Sequence, residues 1–139
     1  MSEYLIYIFI FLILFGFVFS SILEYLNSRN WKDSVPDSLK DFYKKSDYKK
    51  AKNYKLDRDK VSLISSLIST TLTIIFIFSG FYGKVSDYSL YYFDNLFLQS
   101  AGFFLFFLLI STIISLPISY YSIFTIEEKY GFNKSTMST

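Results

Sequence analysis

Apolar and polar positions along this chain fall into long blocks. The stretches 5–23, 61–81 and 96–118 contain no Asp, Glu, Lys or Arg. At 1.5 Å of rise per residue the shortest reaches roughly 28 Å, close to a bilayer hydrocarbon core of about 30 Å. The pattern predicts an all-α integral membrane protein with three transmembrane helices. The first run has a rival reading as a signal peptide. That would require a basic start and a small-residue cleavage site, whereas this chain opens Met1-Ser2-Glu3 and offers no such site. A retained span is therefore expected.

The block at 27–60 is of a different kind, with eleven Lys and Arg against six Asp. Pro36 suits the first position of a helix, with Asp37 near the positive end of its dipole. Leu39, Phe42, Tyr43 and Ser46 then follow at helical spacing, with an Asp41–Lys45 pair worth about 0.3–0.5 kcal/mol. Asp47 is placed to cap a second helix carrying Tyr48, Ala51 and Lys55. The prediction is a solvated, charged helical loop between the first and second spans. A basic arm lying on anionic lipid is the sharper alternative, and the six acids weigh against it.

The second and third runs each carry a small polar stripe. Ser62, Ser66, Ser69, Thr70 and Thr73 share one side of the second, and Ser111, Ser115 and Ser119 recur every four residues in the third. Small hydroxyl residues let membrane helices approach closely and bond across the contact; lining a polar cavity is the functional alternative. Between these runs, 82–97 is short and aromatic, suited to an interfacial belt. Pro117 is expected to kink or stop the third helix.

Composition narrows the chemistry. The chain of 139 residues is 52% hydrophobic with 17 Phe and 13 Tyr, too aromatic and apolar for an ordinary soluble domain. It has neither Cys nor His, which excludes disulfides, thiolate chemistry, a Ser-His-Asp triad and HExxH zinc binding within these residues. Lys alternates with Tyr in the loop, but a short inter-helix loop explains this better than nucleic acid, and no nucleic-acid partner is expected. The bias toward Phe, Ile, Lys, Tyr, Asn and Ser suggests an AT-rich bacterial genome.

Charge also orients the chain. The 27–60 loop holds eleven cations and 82–97 holds only Lys84. The positive-inside rule puts 27–60 and the tail 125–139 in the cytoplasm, and the N-terminus and 82–97 outside. The expected location is a bacterial inner (plasma) membrane.

The end of the chain carries the strongest motif. Pro117, Tyr121 and Phe124 lead into Ile126-Glu127-Glu128-Lys129, then Gly131-Phe132-Asn133-Lys134 and Thr136. Upstream, Pro36-Asp37 is followed by Tyr43 and by Tyr48-x-x-Ala51-x-x-Tyr54. These segments resemble the N-terminal membrane region of the type I CAAX prenyl endopeptidases, integral-membrane zinc metallopeptidases with an HExxH site. The resemblance implies a structural role for the twelve motif residues, and no catalytic, cofactor-binding or metal-binding residue in this chain. It implies zinc for a full-length member, and the bilayer, the remaining peptidase helices and a catalytic domain as partners. Glu127 and Glu128 are adjacent, so they point to different helix faces and read as a solvated membrane exit. The expectation is a single N-terminal transmembrane module, 1–139, supplying anchor and chamber-wall helices, with the catalytic domain absent through fragmentation or truncation. The rival expectation is a freestanding three-span scaffold or regulator.

Overall fold

The computed structural model describes residues 2–32, 34–37 and 40–134. Its elements are α1 (Ser2–Arg29), α2 (Lys45–Phe78), α3 (Phe81–Tyr92), α4 (Leu96–Tyr121) and a π-helical turn (Ser122–Glu127) continuous with α4. There is no strand among the described residues. Three of the described helices are long and apolar enough to cross a membrane. Neither α2 nor α4 has a buried residue, and Phe15, Leu63 and Phe104 stand 57%, 44% and 69% exposed. Such apolar surface calls for lipid or further membrane helices against it.

Two local expectations are revised. Residues 40–42 form a turn, 43 and 44 are irregular, and no α-helix opens at Pro36 among the described residues; Leu39 of the expected apolar face lies outside them. Asp37 pairs with Lys40 at 2.5 Å. Asp47 is not the cap either: α2 starts at Lys45, leaving Asp47 in its first turn, where it still favours the positive helix end. From there the helix runs through the charged block and the span without a break, for 34 residues or about 51 Å. Residues 44–50 therefore lie roughly 16–25 Å along the axis beyond the apolar boundary at Val61. That exceeds a Debye length of about 8 Å, so the far part of the charged half (45–60) reaches along the axis as a stalk, which favours the solvated segment over an arm on anionic lipid.

The aromatic stretch after α2 is also a helix. A left-handed Gly80 (φ 66) ends α2 and begins α3, and α3 packs against the first half of α4. Asn95 caps α4, its side chain accepting from the Phe97 N–H at 2.7 Å, a typical N-cap bond. Pro117 does not stop α4, which runs on to Tyr121. The proline leaves the Ile113 carbonyl without its usual donor, and the wider π turn follows within five residues.

Packing is open. Among the described residues α1 touches only α2, while α2 also meets α3, α4 and the π turn. The α1 end is seated by polar contacts. Lys52 donates to the Trp31 carbonyl at 3.1 Å, Ser28 donates to Asp59, and Lys55 bridges to Asp59 at 2.8 Å. The Trp31 ring stacks on Tyr48 at 5.6 Å.

Candidate functional site

The motif residues meet α2 at the charged end of the bundle. Asp57, in the stalk, is the centre. Its Oδ2 accepts from Lys129 Nζ at 2.7 Å and from the Tyr130 hydroxyl at 2.8 Å, and Lys60 stands 3.5 Å from its other oxygen. Donation by Lys129, then by Tyr130, holds the Asp57 carboxyl below its ordinary range. The same bond to Asp57 raises the Lys129 ammonium. Burial, then the Asp57 acceptor, raises the Tyr130 phenol.

An aromatic cluster backs this ion pair. The Tyr54 ring meets Tyr130 edge-on at 5.4 Å and Phe132 at 4.8 Å. Lys50 Nζ lies 5.3 Å from the Phe132 ring centroid, within cation–π range. Ile126 and Tyr130 are among the few buried residues, 4% and 8% exposed.

Gly131 makes the return possible. The Gly131 N–H donates to the Glu128 carbonyl at 2.9 Å and the Phe132 N–H to the Glu127 carbonyl at 2.8 Å. This paired arrangement ends a helix through one left-handed residue. Gly131 has φ 70, a conformation that costs other residues roughly 1–2 kcal/mol. The turn points Phe132 back at Tyr54.

The fold thus brings Ile126, Lys129, Tyr130 and Phe132 onto α2. The other motif residues are placed differently. Pro117 and Tyr121 lie exposed on α4, and Phe124 stacks on Tyr120 at 4.7 Å. Glu128 and Lys134 are exposed, Glu127 and Asn133 are half-buried, and Thr136 lies outside the described residues. Sequence reasoning missed Asp57 as a partner and counted it only as charge. The available signal was its register: Lys50, Tyr54 and Asp57 follow at i, i+4 and i+7, along one side of a helix.

A second feature is a crevice between spans, lined by hydroxyl and apolar side chains. Ser65, Ser69 and Thr73 of α2 face Ser111 and Ser115 of α4 across about 230 Å3. It continues toward the stalk as a larger hollow of about 810 Å3, reaching Glu24, Arg58, Asp59, Ser119 and Ser122. The stripes do not bond across the gap. Thr73 donates to the Ser69 carbonyl at 2.8 Å and Ser115 to the Thr112 carbonyl at 3.1 Å, each within its own helix. The hydroxyl stripes border an open crevice here, a gap that lipid, water or a further helix can occupy; Ser65 joins the lining and Thr70 does not.

Zinc does not fit these residues. The sequence has no His or Cys, and no three acidic side chains converge among the described residues.

Comparison with known proteins bears on this architecture. The family described as "CAAX prenyl protease N-terminal, five membrane helices" matches residues 24–139. CAAX prenyl protease 1 homolog of Caenorhabditis elegans is 30% identical over 87% of this chain and 27% of its own length. The Homo sapiens homolog is 34% identical over 74% of this chain and 23% of its own. The crystal structure of S. mikatae Ste24p superposes with a TM-score of 0.77 at 30% identity, covering 91% of this chain and 31% of that one. The chain therefore spans about a quarter to a third of the proteins it matches.

Proposed function

The chain belongs to the CAAX prenyl protease N-terminal family, and from that premise we propose that it serves as the membrane module of a zinc metalloendopeptidase acting on prenylated CAAX termini. Its spans supply anchor and chamber wall. Zinc and the groups that activate water would come from residues outside 1–139, since none here suits the metal. The observation that carries the reading is the Asp57 knot. It is built from the segment that bears the family likeness, and it fixes where the chain leaves the last span.

The proposal extends to orientation. The stalk and residues 127–134 share one end of the bundle through Asp57 and Tyr54. The charge asymmetry between 27–60 and 82–97 supports a cytoplasmic position for that end. The named relatives are eukaryotic and lend no support to the bacterial plasma membrane expected from composition.

Antibodies against residues 40–60 test the function. Capture from native membranes under mild detergent should retrieve an HExxH-bearing portion, in the same polypeptide or as a companion, with one zinc per complex. A chain retrieved without any such portion would favour the freestanding scaffold.

A further inference from the structure

At the end of the bundle opposite the stalk, α3 and α4 enclose an apolar hollow of about 340 Å3, lined by Val85, Phe93, Gly102 and Phe106 among others. The close approach depends on Gly102, where a Cβ would fall 2.7 Å from the Phe93 ring. Gln99 steadies the same residue by donating to the Phe93 carbonyl at 2.7 Å. Lys84 stands at the rim. It also lines an adjoining hollow of about 510 Å3 together with Asp87, Tyr88, Tyr91 and Tyr92. Tyr88 and Tyr92 belong to both hollows, so the two adjoin.

Depth places this pair of hollows in the membrane. Val61, where charge gives way to apolar sequence, and Ser122 border one crevice at the stalk end. Twenty residues back along α4 from Ser122 is Gly102, about 30 Å away. The apolar hollow therefore lies at the far edge of the hydrocarbon, and the tyrosine hollow at headgroup level. Lys84 and Asp87 are one turn apart, the spacing at which opposite charges usually pair. Neither side chain has an ion pair or hydrogen bond among the described residues. A cation and an anion are both left open beside exposed tyrosine rings, of which Tyr91 and Tyr92 meet at right angles 5.1 Å apart.

We propose that the two hollows form a binding site for a phospholipid with a quaternary ammonium headgroup. An acyl chain fills the apolar hollow, the phosphate pairs with Lys84, and the ammonium sits between Asp87 and the tyrosine rings. Aromatic faces hold quaternary ammonium groups by cation–π attraction. Charge complementarity selects this headgroup over a purely anionic one, which would satisfy Lys84 and be repelled by Asp87.

Native mass spectrometry of the full chain, in mild detergent with equal phosphatidylcholine and phosphatidylglycerol of matched chains, tests the site. Phosphatidylcholine should be retained about two- to fivefold in preference, the ratio expected of an exposed contact of the ammonium with Asp87 and the rings. Asp87→Asn should reduce the preference to the share the tyrosine rings hold, and Lys84→Met should lower retention of both lipids. Lys84 and Asp87 are both exposed, so circular dichroism should show unchanged helix content in the two variants. A nitroxide on the choline headgroup should broaden amide signals of residues 84–92 and spare those of 45–60. Equal retention of the two lipids, as for a merely annular layer, would overturn the proposal. So would a preference for phosphatidylglycerol, or a preference unchanged by Asp87→Asn.

Discussion

The Lys129 ammonium meets the Asp57 carboxylate at 2.7 Å across 72 residues of intervening chain. Tyr130 donates to the same oxygen. Two spans and α3 lie between these partners, so a contact of two short bonds closes the whole hairpin of helices. It also joins a segment leaving the membrane to a stalk that stands above it. Elsewhere the spans touch sparingly, and much of their apolar surface is exposed.

Removing one donor should loosen that closure measurably. Tyr130→Phe keeps the ring against Tyr54 and deletes only the hydroxyl bond, at a cost of about 1 kcal/mol. The Phe132 amide, which donates to the Glu127 carbonyl, should exchange with solvent about fivefold faster. Exchange at the parent rate would mean that the aromatic cluster alone holds the turn.

The knot should also respond to pH at both extremes. Asp57 is lowered from 3.8, so its contribution is complete above that value and is lost as pH falls through the lower folded one. Lys129 is raised from 10.5 and Tyr130 from 10.0. Their contributions are complete below those values and disappear as pH climbs through the raised ones. Protection of the 130–133 amides, corrected for intrinsic exchange, should therefore be level through neutral pH and fall at both ends. Asp57→Asn should remove the acid limb; an acid limb that persists in this variant would assign it to another carboxylate.

Topology offers a direct measurement. Ser46 is exposed on the stalk and Asp94 is exposed between α3 and α4. Cysteines at these two positions, in a chain that has none of its own, should react with an impermeant maleimide from opposite sides, position 46 from the cytoplasm. Labelling of both from one side would sink the three-span arrangement.

The spans were legible because absence of charge over about twenty residues is a strong, local signal. Their true ends were not. Residues 45–60 look like a separate loop by hydropathy, yet nothing at Val61 breaks a helix, so α2 continues through the change of solvent. The helix 81–92 was hidden because its tyrosines read equally well as an interfacial belt. At the knot, Gly131 and Phe132 were conspicuous, but Asp57 was one carboxylate among six in the loop, and only folding selects which one meets Lys129. The hydroxyl stripes were visible in full, whereas whether they close on each other or line a gap depends on the splay of α2 and α4.

That splay gives the last prediction. Ser111 and Ser115 border a crevice of about 230 Å3, and their side chains make no bond to α2. If another membrane helix of the peptidase approaches through this gap, small side chains are what admit its backbone, each contact being worth about 0.6–2 kcal/mol in lipid. Replacing both serines with Leu should weaken co-purification with the remaining peptidase portion, supplied as a separate polypeptide, by about threefold to thirtyfold. Insertion should be unchanged, since Leu prefers hydrocarbon more than Ser does. Replacing both with Ala should leave association intact, because bulk and not the hydroxyl is the obstacle. Equal recovery with the Leu pair would show that no helix enters here, and that the crevice is filled by lipid or water.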